Sequence, residues 1–211
     1  MAKKVAGELY ESITGQLFEI GRQLRQKGGY PFNPEELKIY LQDAIEGRFN
    51  QTAVAHNFPI WKTIKLGIHK SADEYRKALK SNGFKIGDWA NDILGKPAFT
   101  ASSEEIEVEL VKVSVAELGF KNGAKRKDIY NRALELGLKL CPNEVGPALR
   151  LQYTDQPMDE WLLVAMEPIA DLDGYLSVFA TGRDSGGLWF GGRSGGPAYF
   201  WNDDNLWVFL R

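Results

Sequence analysis

The sequence predicts an α+β fold with a helical N-terminal half and a C-terminal half dominated by antiparallel strands. Three observations carry this expectation. Apolar residues recur at spacings of three and four through roughly residues 5–26 and 34–46, the period of an amphipathic helix. From Leu149 onward, short apolar runs alternate with turns rich in Asp, Asn and Gly, the signature of strands joined by hairpins. The charges also divide: residues 1–99 hold 15 Lys and Arg against 11 Asp and Glu, a net of +4, whereas residues 100–211 hold 11 against 17, a net of −6. That asymmetry points to two modules or to a basic contact face. The first, 1–99, is a helical hairpin followed by a basic strand-helix-helix segment. The second, 100–211, is strand-rich with one helix near 125–137. Pro97, Thr100, Ser102 and Ser103 mark the linker between them.

Each element has a local reason. Leu9, Ile13, Leu17, Ile20 and Leu24 line one face of the first helix, and Arg22, Arg25 and Lys27 crowd its C-terminal end, where cations suit the helix dipole. Gly28-Gly29 stops it. Gly15 and Gly21 lie inside it, each weakening it by about 1 kcal/mol relative to Ala, so a closely packed neighbour is expected at both. Tyr30-Pro31-Phe32-Asn33-Pro34 is a rigid connector. Asn33 is a good N-cap and Pro34 a good first-turn residue. A second helix follows with Leu37, Tyr40, Leu41 and Ile45 on one face, and Gly47 ends it. Residues 48–60 read as loop or short helix.

Ile64, Leu66 and Ile68 hold the period-two pattern of a strand. Ser71 and Glu74 form a Ser-x-x-Glu capping pair that places a helix start. That helix carries Tyr75, Ala78 and Leu79 and ends near Gly83, and a second short helix covers Ile86 to Leu94. Ile106 to Val115 is the clearest strand. Its phase slips at Leu110-Val111, which a bulge produces, as does burial on both faces. Lys125 to Gly137 reads as helix with a glycine stop. Gly146 and Pro147 argue against a continuous helix there, and Leu149 to Tyr153 alternates like a strand. Glu160 to Met166 is a buried strand. Tyr175 to Thr181 is another, entered through the turn Asp171-Leu172-Asp173-Gly174. Leu188 to Phe190 is short, and Leu206 to Leu210 forms a terminal strand tied into a sheet.

Composition narrows the functional classes. The 44% hydrophobic and 26% charged shares are those of a folded globular chain. Glu8 and Glu11 interrupt any apolar leader after Met1-Ala2-Lys3-Lys4, so no secretory signal is expected. No run reaches the ~18 apolar residues of a membrane span, and Cys141 is the sole cysteine. A cytoplasmic protein without a membrane partner is expected.

The runs Val115-Ala116-Glu117-Leu118-Gly119-Phe120, Ile129 to Leu138 and Leu140 to Tyr153, with Trp201 and Trp207-Val208-Phe209, give the chain a family likeness. It resembles a group of small uncharacterised bacterial proteins that carry no assigned activity, most strongly over residues 105–211. The resemblance implies a bacterial, intracellular origin and supplies no site residues.

The motifs that carry chemistry are sparse. His56 and His69 stand 13 residues apart with no companion cysteine, so no metal is expected, and no cofactor. Cys141 before Pro142 reads as a buried, inert thiol. Gly186-Gly187, Gly191-Gly192 and Gly195-Gly196 lack the lysine of a P-loop and the following helix of a dinucleotide fingerprint, and read as mobile hairpin loops. An enzyme site there would use Arg183 and Arg193 with Glu167, the carboxylate that ends an apolar strand. Trp161, Trp189, Trp201 and Trp207 read first as core.

The basic stretch Lys62 to Lys85 holds seven cations against Asp73 and Glu74. Its helix-turn-helix-like spacing makes Lys65, Lys70, Arg76, Lys77 and Lys80 the candidate nucleic-acid contacts, with Leu79 and Trp89 packing beneath them. The leading expectation is therefore a non-catalytic binding or regulatory module contacting DNA or RNA through residues 62–96. The alternatives are a protein partner taken by the N-terminal helical hairpin and a small enzyme at the glycine-rich loops.

Overall fold

A computed structural model describes residues 8–25, 33–45 and 58–211. The expected glycine stops at 28–29 and 47, the connector over 30–32, the segment 48–57 and His56 lie outside the described residues. The chain divides into two compact units, Met1–Thr52 and Ala53–Arg211. Positions 99 and 100 both lie within the second unit.

The first unit contains α1 (Glu8–Gln23) and α2 (Pro34–Ile45). The amide of Leu37 closes the first turn of α2 on the carbonyl of Asn33. Ile13, Leu17 and Phe18 of α1 and Ile39, Tyr40 and Ile45 of α2 are exposed. Among the described residues, a Cβ at Gly15 or Gly21 would meet nothing within 4 Å, so no closely packed neighbour is seen at either.

The second unit is built on a mixed sheet. Its strands are β1 (Lys62–Leu66), β2 (Lys85–Ile86), β3 (Ile106–Ser114), β5 (Trp161–Val164), β6 (Ile169–Ala170), β7 (Leu176–Asp184), β8 (Gly187–Ser194) and β10 (Leu206–Leu210). Among the described residues the order is β1-β3-β10-β5-β7-β8-β2, with β6 added beside β7. β4 (Ala124–Lys125) pairs with β9 (Phe200–Trp201) as a separate ribbon. Helices α3 (Ala72–Ser81), α4 (Asp88–Leu94), α5 (Arg126–Glu135) and α6 (Val145–Gln152) complete the unit.

Most pairings in the sheet are antiparallel, and it is mixed because β10 runs parallel to β5 and β2 parallel to β8. β1 and β2 come from the first half of the sequence yet belong to this sheet. The terminal strand lies between β3 and β5. Trp207, Val208 and Phe209 are all buried, so both faces of this strand are covered by packing. Tyr130 of α5 meets the rings of Trp207 and Phe209 edge-on at 5.4 and 6.1 Å. The phase slip in β3 is not a bulge. The register runs unbroken from Leu206↔Ser114 to Leu210↔Leu110, and Leu110 and Val111 are both buried because both faces are covered there.

Local chemistry explains the helix ends. Ser71 Oγ accepts from the Glu74 amide at 3.2 Å, and the Glu74 carboxylate reaches back to the Lys70 amide at 2.8 Å, one residue beyond the usual capping box. Gly83, at φ +74°, and Gly137, at φ +86°, occupy the left-handed position after α3 and α5. In each case the next residue's amide bonds back over the last turn, Phe84 to Leu79 and Leu138 to Ala133.

Leu149 to Gln152, expected in a strand, lie in α6. Pro147 sits in the first turn, where its missing N–H costs nothing. Gly146 is required by packing rather than as a breaker: a Cβ there would stand 2.6 Å from Cβ of Phe179 on β7.

Candidate functional site

Strands β5, β7 and β8 present one shared face near their outer ends. Register places Trp161 opposite Gly182, and Gly182 opposite Trp189. A Cβ on Gly182 would lie 2.3 Å from the Trp161 indole, so glycine there lets the ring lie flat on the sheet. A Cβ on Gly191 would crowd the same ring at 3.3 Å. Gly192 faces α4, where a Cβ would meet Cβ of Trp89 at 2.8 Å and the amide of Ala90 at 3.0 Å. The glycines at 191 and 192 are therefore mid-strand seats for an indole and a helix, not the loop residues expected.

α4 is docked on this seat. β2 pairs with β8, and the Gly87 amide donates to the Phe190 carbonyl at 2.9 Å. Ala90, Ile93 and Leu94 are buried, while Trp89 remains 59% exposed. Trp89 thus stands as a wall above the sheet instead of packing beneath a basic face as expected. Between it, Trp161, Trp189, Asp88, Asp184 and Arg193 lies an open cleft of about 380 Å³.

The cleft's electrostatics centre on Arg193. Its guanidinium stacks on Trp161, 4.1 Å from the ring centroid, a cation–π contact that fixes the plane of the group. Nη1 donates to the Gly192 carbonyl at 2.9 Å. Among the described residues no carboxylate pairs with it. Burial accordingly pushes its pKa down from the ordinary arginine value. Asp184, by contrast, is occupied. Its Oδ1 accepts from Trp189 Nε1 at 2.8 Å and from the Gly186 amide at 2.7 Å. The Trp189 hydrogen bond leads in holding its pKa below the usual value. Lys85 lies 5.1 Å above the Trp189 ring.

A second layer supports the first. Arg150 of α6, 0% exposed, donates to the carbonyl of Tyr153, to Gln156 Oε1, and at 3.3 Å to the carbonyl of Gly182 beneath Trp161. Burial lowers its pKa to about 10. Trp89 also borders a second cleft of about 320 Å³ lined by Asp171, Asp173, Tyr175, Leu176, Ser177 and Ser194.

No family model matches the chain, and neither the curated proteins nor the solved structures yield a match.

Several of the candidate basic residues are engaged within the fold. Arg76 is engaged by Asp73 at 2.7 Å and by the side chain and carbonyl of Asn91 at 2.9 and 3.0 Å, tying α3 to α4. Lys70 caps the carbonyls of Gly67 and Ser103. Lys65 stands opposite Glu107 in the β1–β3 register. Lys77 and Lys80 are exposed on α3. Nor is the segment a free helix-turn-helix, because β2 intervenes between its helices and joins the sheet.

Of the three residues named for an enzyme site, only Arg193 lines the cleft. Arg183 donates to the Gln156 carbonyl at 2.9 Å, and Glu167 is exposed beyond β5. Cys141 is buried, its thiol pKa raised by burial. His69 packs edge-on against Tyr75 at 4.9 Å. Among the described residues no three His, Cys, Asp or Glu side chains converge as a metal site, and no helix is long and apolar enough to cross a membrane.

Sequence reasoning missed Trp89, Trp161, Trp189 and Asp184 as cleft residues. The available signal was Trp189-x-Gly191-x-Arg193, which at period two puts an indole, a gap and a cation on one face of a strand.

Proposed function

We propose that this chain is a binding module rather than a catalyst, and that its ligand is a small molecule bearing one anionic group held by Arg193. The observation that carries this is the unpaired, partly buried guanidinium stacked on Trp161. A cation withdrawn from water without a counter-ion is costly, and an incoming carboxylate or phosphate supplies the missing partner through the guanidinium's planar fork. Trp89 and Trp189 offer apolar walls for the rest of the ligand. The non-catalytic assignment is supported by the role of Asp184, whose acceptor orients Trp189, and by the positions of Glu167 and Arg183 away from the cleft.

The engagement of Lys70 and Arg76 by neighbouring groups, with Glu107 opposite Lys65, favours this over a DNA or RNA contact through 62–96. Intrinsic tryptophan fluorescence, titrated with glucuronate and with inorganic phosphate, tests both. At least one anion is expected to quench or shift emission saturably. Arg193→Gln should abolish the response, and the double variant Lys77→Ala/Lys80→Ala should leave it intact. A response that survives Arg193→Gln overturns the proposal. So does salt-sensitive binding of a single-stranded oligonucleotide that disappears in the lysine variant.

A further inference from the structure

We infer that the cleft bounded by Trp89, Trp161 and Trp189 takes a small zwitterion, in chemical class an amino acid with an apolar side chain, whose carboxylate meets Arg193 and whose ammonium meets Asp88. This rests on the proposal that Arg193 holds an anion, and adds what the other end of the ligand carries.

Four ionic side chains stand in or beside the cleft: Lys85, Asp88, Asp184 and Arg193. Two of them answer each other. Lys85 Nζ and Asp184 Oδ1 would lie 2.7 and 3.0 Å from a Cβ placed on Gly186, so the ammonium and the carboxylate share one side of the turn between β7 and β8. Lys85 also lies over the Trp189 ring, whose Nε1 donates to that same Asp184 oxygen. Lysine, indole and aspartate thus form one mutually satisfied group at a wall of the cleft.

The other two charges are left over. Among the described residues Arg193 meets no carboxylate, and Asp88, exposed as the first residue of α4, meets no side-chain cation. Both stand close to Gly191. Arg193 Nη1 would lie 3.4 Å from a Cβ on Gly191, and a Cβ on Gly87, the residue before Asp88, would lie 3.7 Å from Gly191 Cα. Gly191 is therefore a bare patch of strand approached both by the guanidinium and by the backbone that leads into Asp88.

A ligand that is only an anion satisfies Arg193 and sets a second negative charge against Asp88. A ligand that is only a cation does the reverse. One that carries both charges satisfies both ends. The guanidinium fork takes the carboxylate, and Asp88 accepts from the N–H donors of the ammonium. Trp89, whose ring is largely uncovered, offers an apolar face to the rest of the ligand. The cleft, about 380 Å³, is at the small end of ligand sites, roughly 300–1,000 Å³, which suits a single amino acid.

Calorimetric titration of the full chain at neutral pH tests this with ligands of one shape: phenylalanine, 3-phenylpropanoate, which lacks the ammonium, and 2-phenylethylamine, which lacks the carboxylate. Phenylalanine should bind at least about fivefold more tightly than 3-phenylpropanoate, a gain in the range of a charge-assisted hydrogen bond. 2-Phenylethylamine should not bind measurably, because Arg193 repels it. Asp88→Asn, at an exposed position, should weaken phenylalanine and tighten 3-phenylpropanoate by removing a like charge, erasing the difference between them. Arg193→Lys, which keeps the charge and loses the fork, should weaken both carboxylates.

Three results overturn the inference and leave the anion proposal standing. These are phenylalanine that fails to bind where glucuronate does, 3-phenylpropanoate bound as tightly as phenylalanine, and an advantage of phenylalanine that survives Asp88→Asn. If neither these ligands nor glucuronate and phosphate show Arg193-dependent binding, both proposals fall.

Discussion

At the scale of single residues, two buried ionic groups, Glu144 and Arg150, help organise the second unit, and neither is marked by a motif. Glu144, 1% exposed, accepts four hydrogen bonds: from the Gly67 amide at 2.8 Å, Tyr75 Oη at 2.7 Å, the Ser102 amide at 2.8 Å and Ser102 Oγ at 2.7 Å. Burial alone would raise its pKa, but these donors outweigh burial and hold it below the ordinary value. The sign follows from linkage. A carboxylate with a depressed folded pKa adds stability that is complete above the unfolded value, about 4.3 for glutamate, and is lost as pH falls through the folded one. Glu144→Ala leaves two buried donors and two half-buried ones without an acceptor and should cost about 3 kcal/mol or more at neutral pH, read from urea unfolding midpoints. The gap between wild type and variant should narrow as pH drops below about 4. A gap that is constant with pH would mean that Glu144 acts through packing alone.

At the scale of elements, glycine means opposite things in different places, and the sequence does not label which. Gly192→Ala drives a Cβ into the backbone of α4, where only movement of the helix relieves the contact. It should destabilise by about 1–3 kcal/mol and weaken ligand binding, since Trp89 moves with α4. Gly15→Ala enters open space in α1 and should raise helicity, a gain of up to about 1 kcal/mol. Far-ultraviolet circular dichroism and thermal melts distinguish the two signs. Elements whose chemistry closes within a few residues were legible. Ser71 starts α3, Gly83 and Gly137 end helices, and Asp171 to Gly174 turns β6 into β7, all as the sequence suggested. α6 was not legible, because Gly146 answers to Phe179, a neighbour 33 positions away that no local pattern reveals.

At the scale of the whole molecule, the same distinction separates composition from arrangement. The α+β class was readable from periodicity. The strand order was not, because β2 joins β8 across about a hundred residues and the terminal strand lies between β3 and β5. The cleft was hidden for the same reason, since it needs residues 87–89, 161, 184 and 189–193 brought together by that order. Charge asymmetry, by contrast, suggested a boundary at 99/100 that the sheet crosses, because surface charge reports solvation while strand pairing reports the core. The hydrophobic core of the described residues is drawn entirely from the stretch Phe58 to Leu210, and every strand of the sheet lies within it. A chain shortened to Ala53–Arg211 should therefore unfold in one cooperative transition, as a core of this size does when it is not divided, and should keep its Arg193-dependent fluorescence response. A broad, non-cooperative melt of the shortened chain would show instead that residues 1–52 are needed to complete the core.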